Sequence, residues 1–193
     1  ECLVGSEMCI RDRSKYQCIY IEGYLLVNEP LVRSTMEKAK KLGLKVALDL
    51  SNFNIVNAFK GMLEDIIPKY VDILFSNESE AEAFTGQKAA EAVHTLSELV
   101  EVSLVTLGKE GALIGSHGQF YSVPAEGGKP VDTTGAGDNF AAGFLYGQSI
   151  GASLVQSARI GSMLAGYVID VVGPEIPYDK WEQIKLKVKG ILA

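Results

Sequence analysis

Cysteine, histidine and tryptophan are scarce in this sequence, at three, two and one residues. Cys2, Cys9 and Cys18 all fall within the first 18 positions, and neither His94 nor His117 stands at metal-ligand spacing from them. That pattern excludes a disulfide framework or a zinc cage, and fits a reducing, cytoplasmic compartment. No apolar run reaches the roughly 18 uncharged residues that a membrane span requires. Positive charge is also in deficit. Lys and Arg number 18 against 24 Asp and Glu, a net charge of −6. Without a basic cluster, neither a nucleic acid nor an anionic membrane surface is an expected partner.

What is present is an ordinary globular composition, 47% hydrophobic and 22% charged, with 20 glycines concentrated between Gly108 and Gly173. The 193 residues suffice for one domain with a real core. Residues 1–13 follow neither a signal-peptide layout nor a strand or helix period and are set aside as a foreign junction or ragged end, the alternative being a genuine arm. The regular domain is then residues 14–193.

From Gln17 the pattern becomes regular. Gln17–Glu22 reads as a strand, and Pro30 sits at a helix start that runs through Leu31 to Lys41 and stops at Gly43. Leu44–Leu50 is an apolar strand, and a helix follows from about Val56 to Ile67, ending at Pro68. Val71–Phe75 and Val102–Leu107 read as strands, with helices over Glu78–Phe84 and Lys88–Val100 between them. Alternating strands and helices with continuously apolar strands predict a parallel sheet covered on both faces. Its ligands belong at the strands' C-terminal edge. Beyond Leu107, Gly111–Gly115 and Gln119–Val123 read as a hairpin turning at Ser116–Gly118. Helices over Ala136–Ser149, Ser153–Val171 and Trp181–Leu192 complete the chain.

The stretch most telling of chemistry is Asp132-Thr-Thr-Gly-Ala-Gly-Asp138-Asn-Phe-Ala-Ala-Gly143. Gly135 and Gly137 permit left-handed backbone, so successive N–H groups converge on one concavity at a helix start, where an anion is favoured. Asp138 in the first turn is then placed to take a proton from a hydroxyl attacking a phosphoryl group held there. The plainer reading is a helix cap on a glycine turn. Two other nucleotide motifs fail. A dinucleotide fingerprint would need glycine or alanine where Phe140 stands, and no Gly-Lys-Ser/Thr completes a P-loop.

These residues, with Phe140-Ala-Ala-Gly143, resemble the C-terminal signature of the PfkB/ribokinase carbohydrate-kinase family. Asp72-Ile-Leu-Phe-Ser-Asn77-Glu-Ser-Glu80 is similar to its strand leading into Asn-x-x-Glu. Val105-Thr-Leu-Gly-Lys-Glu-Gly111 is similar to its nucleotide-contacting turn, and Ala158-Arg-Ile-Gly-Ser-Met-Leu-Ala-Gly166 to the helix beside its adenine pocket. The likeness runs from about Ile19 to Ile176 and implies a ribokinase-like three-layer αβα sandwich with a mainly parallel sheet, its N-terminal part missing.

The resemblance further implies an ATP-dependent kinase acting on a hydroxymethyl group of a nucleoside or sugar. Asp138 would be the general base, and the amides of Gly135, Ala136 and Gly137 the anion hole. Asn77 and Glu80 would help hold Mg²⁺ and phosphates, although Asn-x-x-Glu is also a capping box in its own right. Thr106, Gly108 and Gly111 would line the nucleotide, or simply end a strand in a turn. Ser162 falls at the adenine contact. Asp132 and the Thr134 carbonyl match the positions of a monovalent cation, K⁺, with a solvated strand-end aspartate as the alternative. The partners implied are ATP and a small-molecule acceptor, and a homodimer is admitted.

The family's N-terminal half, with its acceptor-gripping groups, early glycine pairs and β lid, has no counterpart here, so the chain is expected to be a C-terminal piece. Val172-Gly173-Pro174-Glu175 replaces the family's Gly-Ala ending near the adenine pocket. Ile21-Glu-Gly-Tyr24 and Leu48-Asp-Leu-Ser-Asn52 look closer to adenosine-kinase-like members than to ribokinase. A non-catalytic nucleotide-binding module of the same fold is the alternative function.

Overall fold

Strands that are apolar at every position need cover on both faces, and that requirement sets the architecture. The computed structural model describes residues 16–127 and 130–193, so the expectation for residues 1–13 lies outside the described residues. The elements alternate from the start: β1 Cys18–Glu22, a 3₁₀ turn Gly23–Val27, α1 Glu29–Lys41, β2 Lys45–Asp49, α2 Phe53–Ala58 and α3 Lys60–Tyr70. They continue with β3 Ile73–Asn77, α4 Glu78–Thr85, α5 Ala89–Ser97 and β4 Val102–Thr106. A 3₁₀ turn at Gly108–Glu110 leads into β5 Ala112–Ser116 and β6 Gln119–Val123. Then come α6 Ala136–Ser149, α7 Leu154–Val168 and, after a 3₁₀ turn at Tyr178–Lys180, α8 Trp181–Leu192.

The strands lie side by side in chain order, β1-β2-β3-β4-β5-β6, in a mixed α/β fold. β1 and β2 run parallel, with Cys18 opposite Lys45 and Glu22 opposite Asp49. β2 and β3 are also parallel, Ala47 facing Ile73 and Asp49 facing Phe75. Val46, Ala47 and Leu48 are consecutive and fully buried, so both faces of β2 are covered, as a parallel sheet requires. The β5–β6 turn uses His117 and Gly118, both at positive φ (48° and 75°), the pairing a two-residue type I′ hairpin needs.

The chain gathers into two compact units, Glu1–Val105 with Gly115–Gln119, and Thr106–Ile114 with Phe120–Ala193. In the first, β1–β3 direct their C-terminal ends to one edge, and Leu63, Ile66, Ile67, Met36 and Leu96 pack as fully buried helix residues. In the second, α7 and α8 share a core of Ile160, Met163, Leu164, Val168, Ile184 and Ile191. Among the described residues no helix is long and apolar enough to cross a membrane.

Most boundaries fall within three residues of the expectation, and the larger difference lies in one helix. The helix expected from Val56 to Ile67 is broken at Phe59 into α2 and α3. The second part passes through Pro68 to Tyr70. Proline there costs only the bond to the Glu64 carbonyl, Glu64 is exposed to water, and Val71 N–H closes the end on Ile67 O at 3.1 Å.

Small residues let α6 and α7 approach closely. A Cβ on Gly143 would stand 2.7 Å from Gly161 Cα, and one on Gly161 2.5 Å from the Phe140 carbonyl oxygen. Both obstacles are backbone, so they cannot rotate away. Gly161→Ala is expected to destabilise the fold by about 1–3 kcal/mol despite alanine's better helix propensity. Gly61→Ala on α3, where nothing lies within 4 Å, should leave stability unchanged or slightly raised. Thermal denaturation of the two variants checks this, and equal midpoints would contradict it.

Candidate active site

The geometry begins at the entry to α6. Gly135 occupies the N-cap position with φ 77° and ψ 5°, left-handed backbone that glycine adopts without strain. Pro174 packs over it so tightly that a Cβ at 135 would lie 2.7 Å from Pro174 Cβ. Asn139 ties the turn down, its Nδ2 donating to Gly135 O at 2.9 Å and its N–H to the same oxygen at 2.9 Å. Ala136 N–H is directed at Thr133 O, 3.2 Å away, which leaves Gly135, Gly137 and Asp138 as amides that donate to no acceptor among the described residues. The Asp138 side chain is exposed in this first turn, and no described residue bonds to its carboxylate. Free amides and a free carboxylate thus share one helix start.

Asp132 holds the approach to that turn. Its Oδ1 accepts from Thr134 N at 2.9 Å and Thr134 Oγ1 at 2.7 Å, and its Oδ2 accepts from Gly173 N at 2.9 Å. These donors, the Thr134 amide foremost, hold the carboxyl below its ordinary range. Val131 N–H bonds to Ile169 O at 2.7 Å, so the loop is fastened both to the end of α7 and to Gly173. Asp132 acts here as a clamp between two loops.

At the turn after β4, Gly108 and Gly111 have φ 55° and 99°. Leu107 N–H bonds to Gly111 O at 2.7 Å, and a Cβ on Gly111 would lie 1.9 Å from Val123 O. Thr106 closes β4, half-buried. Ser162 is buried and doubly engaged, accepting from Glu126 N at 3.0 Å and donating to Pro124 O at 2.8 Å. It staples the loop after β6 onto α7. Beside that staple opens a cavity of about 330 Å³, walled by Gly127, Met163, Gly166, Tyr167, Asp170 and α8.

In the first unit, Asn77 and Glu80 form a complete capping box. Asn77 Oδ1 accepts from Glu80 N at 3.0 Å, Glu80 Oε2 from Asn77 N at 2.9 Å, and Glu80 Oε1 from Asn77 Nδ2 at 2.7 Å. Glu80 is only 4% exposed. Burial lifts its carboxyl to about 7; the Asn77 amide opposes this and the neighbouring charge of Asp49 adds to it. Asp49, at the end of β2, accepts from Tyr20 OH at 3.1 Å and from Ser51 N at 2.6 Å. Among the described residues no three His, Cys, Asp or Glu side chains cluster as a metal site. Both Glu80 oxygens already accept hydrogen bonds, so the pair suits a hydrated Mg²⁺ held through water better than a direct chelate.

A family model for pfkB family carbohydrate kinases matches residues 12–181. The chain belongs to the pfkB family of carbohydrate kinases. This pfkB chain is 33% identical over 176 residues to an adenosine kinase of Saccharomyces cerevisiae, covering 83% of its own length and 52% of that protein. It is 31% identical over 139 residues to a ribokinase of Lactococcus lactis, covering 72% and 45%. Among solved structures, the adenosine kinase of Sinorhizobium meliloti superposes with a TM-score of 0.86 at 29% identity, over 92% of this chain and 56% of that one. A probable sugar kinase of Rhizobium etli gives 0.87 at 30%, over 94% and 56%. The pfkB chain therefore spans about half the length of these relatives. The ribokinase-like fold expected from the sequence is the one observed.

Sequence reasoning passed over Gly173 and Pro174 as mere departures, yet they cover the Gly135 turn. It also missed Asp49 beside Glu80, and the cavity. A signal for the cavity was available, since Met163, Gly166 or Tyr167, and Asp170 recur at helical spacing beyond Ser162.

Glu80 gives a pH test. Its pKa is raised on folding from 4.5 to about 7, so between those values the folded chain binds a proton that the unfolded chain has released. Stability from this group is therefore full below pH 4.5 and is lost as pH rises to 7, by on the order of 3 kcal/mol. Glu80→Gln should flatten the fall of Tm between pH 4.5 and 7 relative to wild type. Parallel Tm profiles for the two proteins would contradict the assignment.

Proposed function

We propose that this pfkB chain is the catalytic, nucleotide-binding part of an ATP-dependent phosphotransferase that phosphorylates a hydroxymethyl group of a nucleoside or sugar. The observation that carries the reading is the unpaired, exposed Asp138 carboxylate in the same helical turn as the unpaired amides of Gly135 and Gly137. In the proposed step Asp138 accepts the proton of the acceptor hydroxyl. The hydroxyl oxygen bonds to the γ-phosphorus, the bond to the β–γ bridging oxygen breaks, and ADP leaves. The amides of Gly135 and Gly137, with Ala136 turned partly to Thr133, hold the equatorial oxygens as charge spreads onto them. Positioning and charge stabilisation are the main demands of such a transfer.

In the same proposal Asn77 and Glu80 hold Mg²⁺ through water, and the ion, when bound, neutralises phosphate charge. Thr106, Gly108 and Gly111 border the nucleotide, and Ser162 fixes the loop beside its base. Asp132 and the Thr134 carbonyl are the positions for K⁺, which exchange of potassium for choline in the assay tests. Adenosine is the first acceptor to try, on the strength of the adenosine kinases among the relatives, and a free sugar such as ribose the second. Against a non-catalytic module stands Asp138, an exposed carboxylate to which none of the described residues bonds.

In the intact enzyme carrying this chain, Asp138→Asn should lower kcat by about 10²–10⁴-fold with ATP affinity unchanged. Steady-state kinetics and calorimetric titration measure the two quantities. A variant with near-normal turnover would falsify the base assignment.

A further inference from the structure

The peptide plane between Gly135 and Ala136 is held at both of its ends. Its oxygen, the Gly135 carbonyl, accepts from Asn139 N–H and from Asn139 Nδ2, each at 2.9 Å. Its N–H, that of Ala136, is directed at Thr133 O, 3.2 Å away. The backbone bond from Asn139 is the ordinary helical one. The second is added by the side chain and uses the remaining lone pair of the carbonyl. A peptide unit is rigid and planar, so two donors on its oxygen fix its tilt as well as its position.

That plane lies between the two amides proposed to grip phosphate, those of Gly135 and Gly137. Fixing it fixes how those two N–H groups stand relative to each other. Exposure changes along the turn in the matching sense. Gly137 and Asp138 are exposed, whereas Asn139, the next residue, is half-buried. A Cβ on Gly137 would meet nothing within 4 Å, so the turn is open to a ligand there. Asn139 Nδ2 also lies 3.4 Å from Pro174 O, a longer and weaker contact. Pro174 itself closes over Gly135, and Gly173 N is held by Asp132. Donors held this firmly discriminate by position. A triphosphate and a diphosphate differ in where the terminal phosphoryl group falls, so a braced turn tells them apart and a loosened one does so less.

Resting on the nucleotide-dependent reading above, we propose that Asn139 is a positioning residue that, through the Gly135 carbonyl, sets the preference of the α6 turn for a nucleoside triphosphate over the diphosphate product. Its side chain acts on the turn, and the turn acts on the γ-phosphoryl group.

Calorimetric titration of the chain with ATP and with ADP, magnesium present, tests this in wild type, Asn139→Ala and Asn139→Ser, with Tm measured for each. Serine at a helical position can donate to the carbonyl four residues back, here that of Gly135, whereas alanine cannot. Asn139→Ala should weaken ATP binding about fivefold and leave ADP binding unchanged, and Asn139→Ser should keep the wild-type preference for ATP. Unchanged ATP affinity in Asn139→Ala overturns the proposal. So does an equal loss for ATP and ADP with a lowered Tm, which marks Asn139 as structural. A serine variant that loses the preference as alanine does overturns the route through the Gly135 carbonyl. Wild-type chain that binds ADP as tightly as ATP overturns the proposal and spares nucleotide binding. Binding of neither ligand to wild type overturns the nucleotide reading, and this proposal with it.

Discussion

The left-handed turn at Gly135, pressed beneath Pro174, is the constraint on which the second unit depends. No side chain fits there, since a Cβ at this position would come within 2.7 Å of Pro174 Cβ. The turn starts α6 with its first amides directed outward and sets Asp138 beside them. It is braced by bonds that converge from three segments: Asp132 to Gly173, Val131 to Ile169, and Asn139 to Gly135 and Pro174. Donors fixed in advance need no reorganisation when charge arrives, which is how a protein stabilises a transferring phosphoryl group most effectively. The same bracing explains why Asp132 is held ionised, since it is an acceptor for three donors at once.

In the first unit the parallel strands do a different task. Their shared direction gathers the ends of β1, β2 and β3 on one edge, and that edge is polar and strained where the strands themselves are apolar. Ser51 holds a positive φ of 63°, unusual for a residue with a side chain, while its N–H bonds to Asp49 and its hydroxyl accepts from Gly23 N at 2.8 Å. Gly23 is itself obligatory, since a Cβ there would lie 2.6 Å from Leu50 O. Glu80 is buried at the same edge. A carboxyl kept near neutrality by burial, next to a second carboxylate, is a group whose protonation responds to any cation brought near it.

Much of this was legible in the sequence for a local reason. Apolar strands such as Leu44–Leu50 and the Asn77–Glu80 spacing announce themselves through period and capping chemistry, both of which act over a few residues. The Asp132–Asp138 stretch was legible because glycine spacing and a helix start are also local. What escaped depends on partners far along the chain. Pro174 covers Gly135 from 39 positions away, a pairing no pattern records. Ser162 reads in the sequence as a ligand contact, but its hydroxyl already serves two backbone groups 36 and 38 residues distant. Pro68 reads as a helix end because proline breaks helices in their interiors. Here it falls in a last turn, and Glu64, whose carbonyl loses its partner, is exposed.

The proposed grip of the α6 amides on the phosphates of a nucleotide is open to amide-resolved NMR titration of the chain with ATP and magnesium. The largest shift changes are expected at Gly135, Gly137 and Asp138, saturating together. Saturable ATP binding that leaves those three amides unmoved would contradict it.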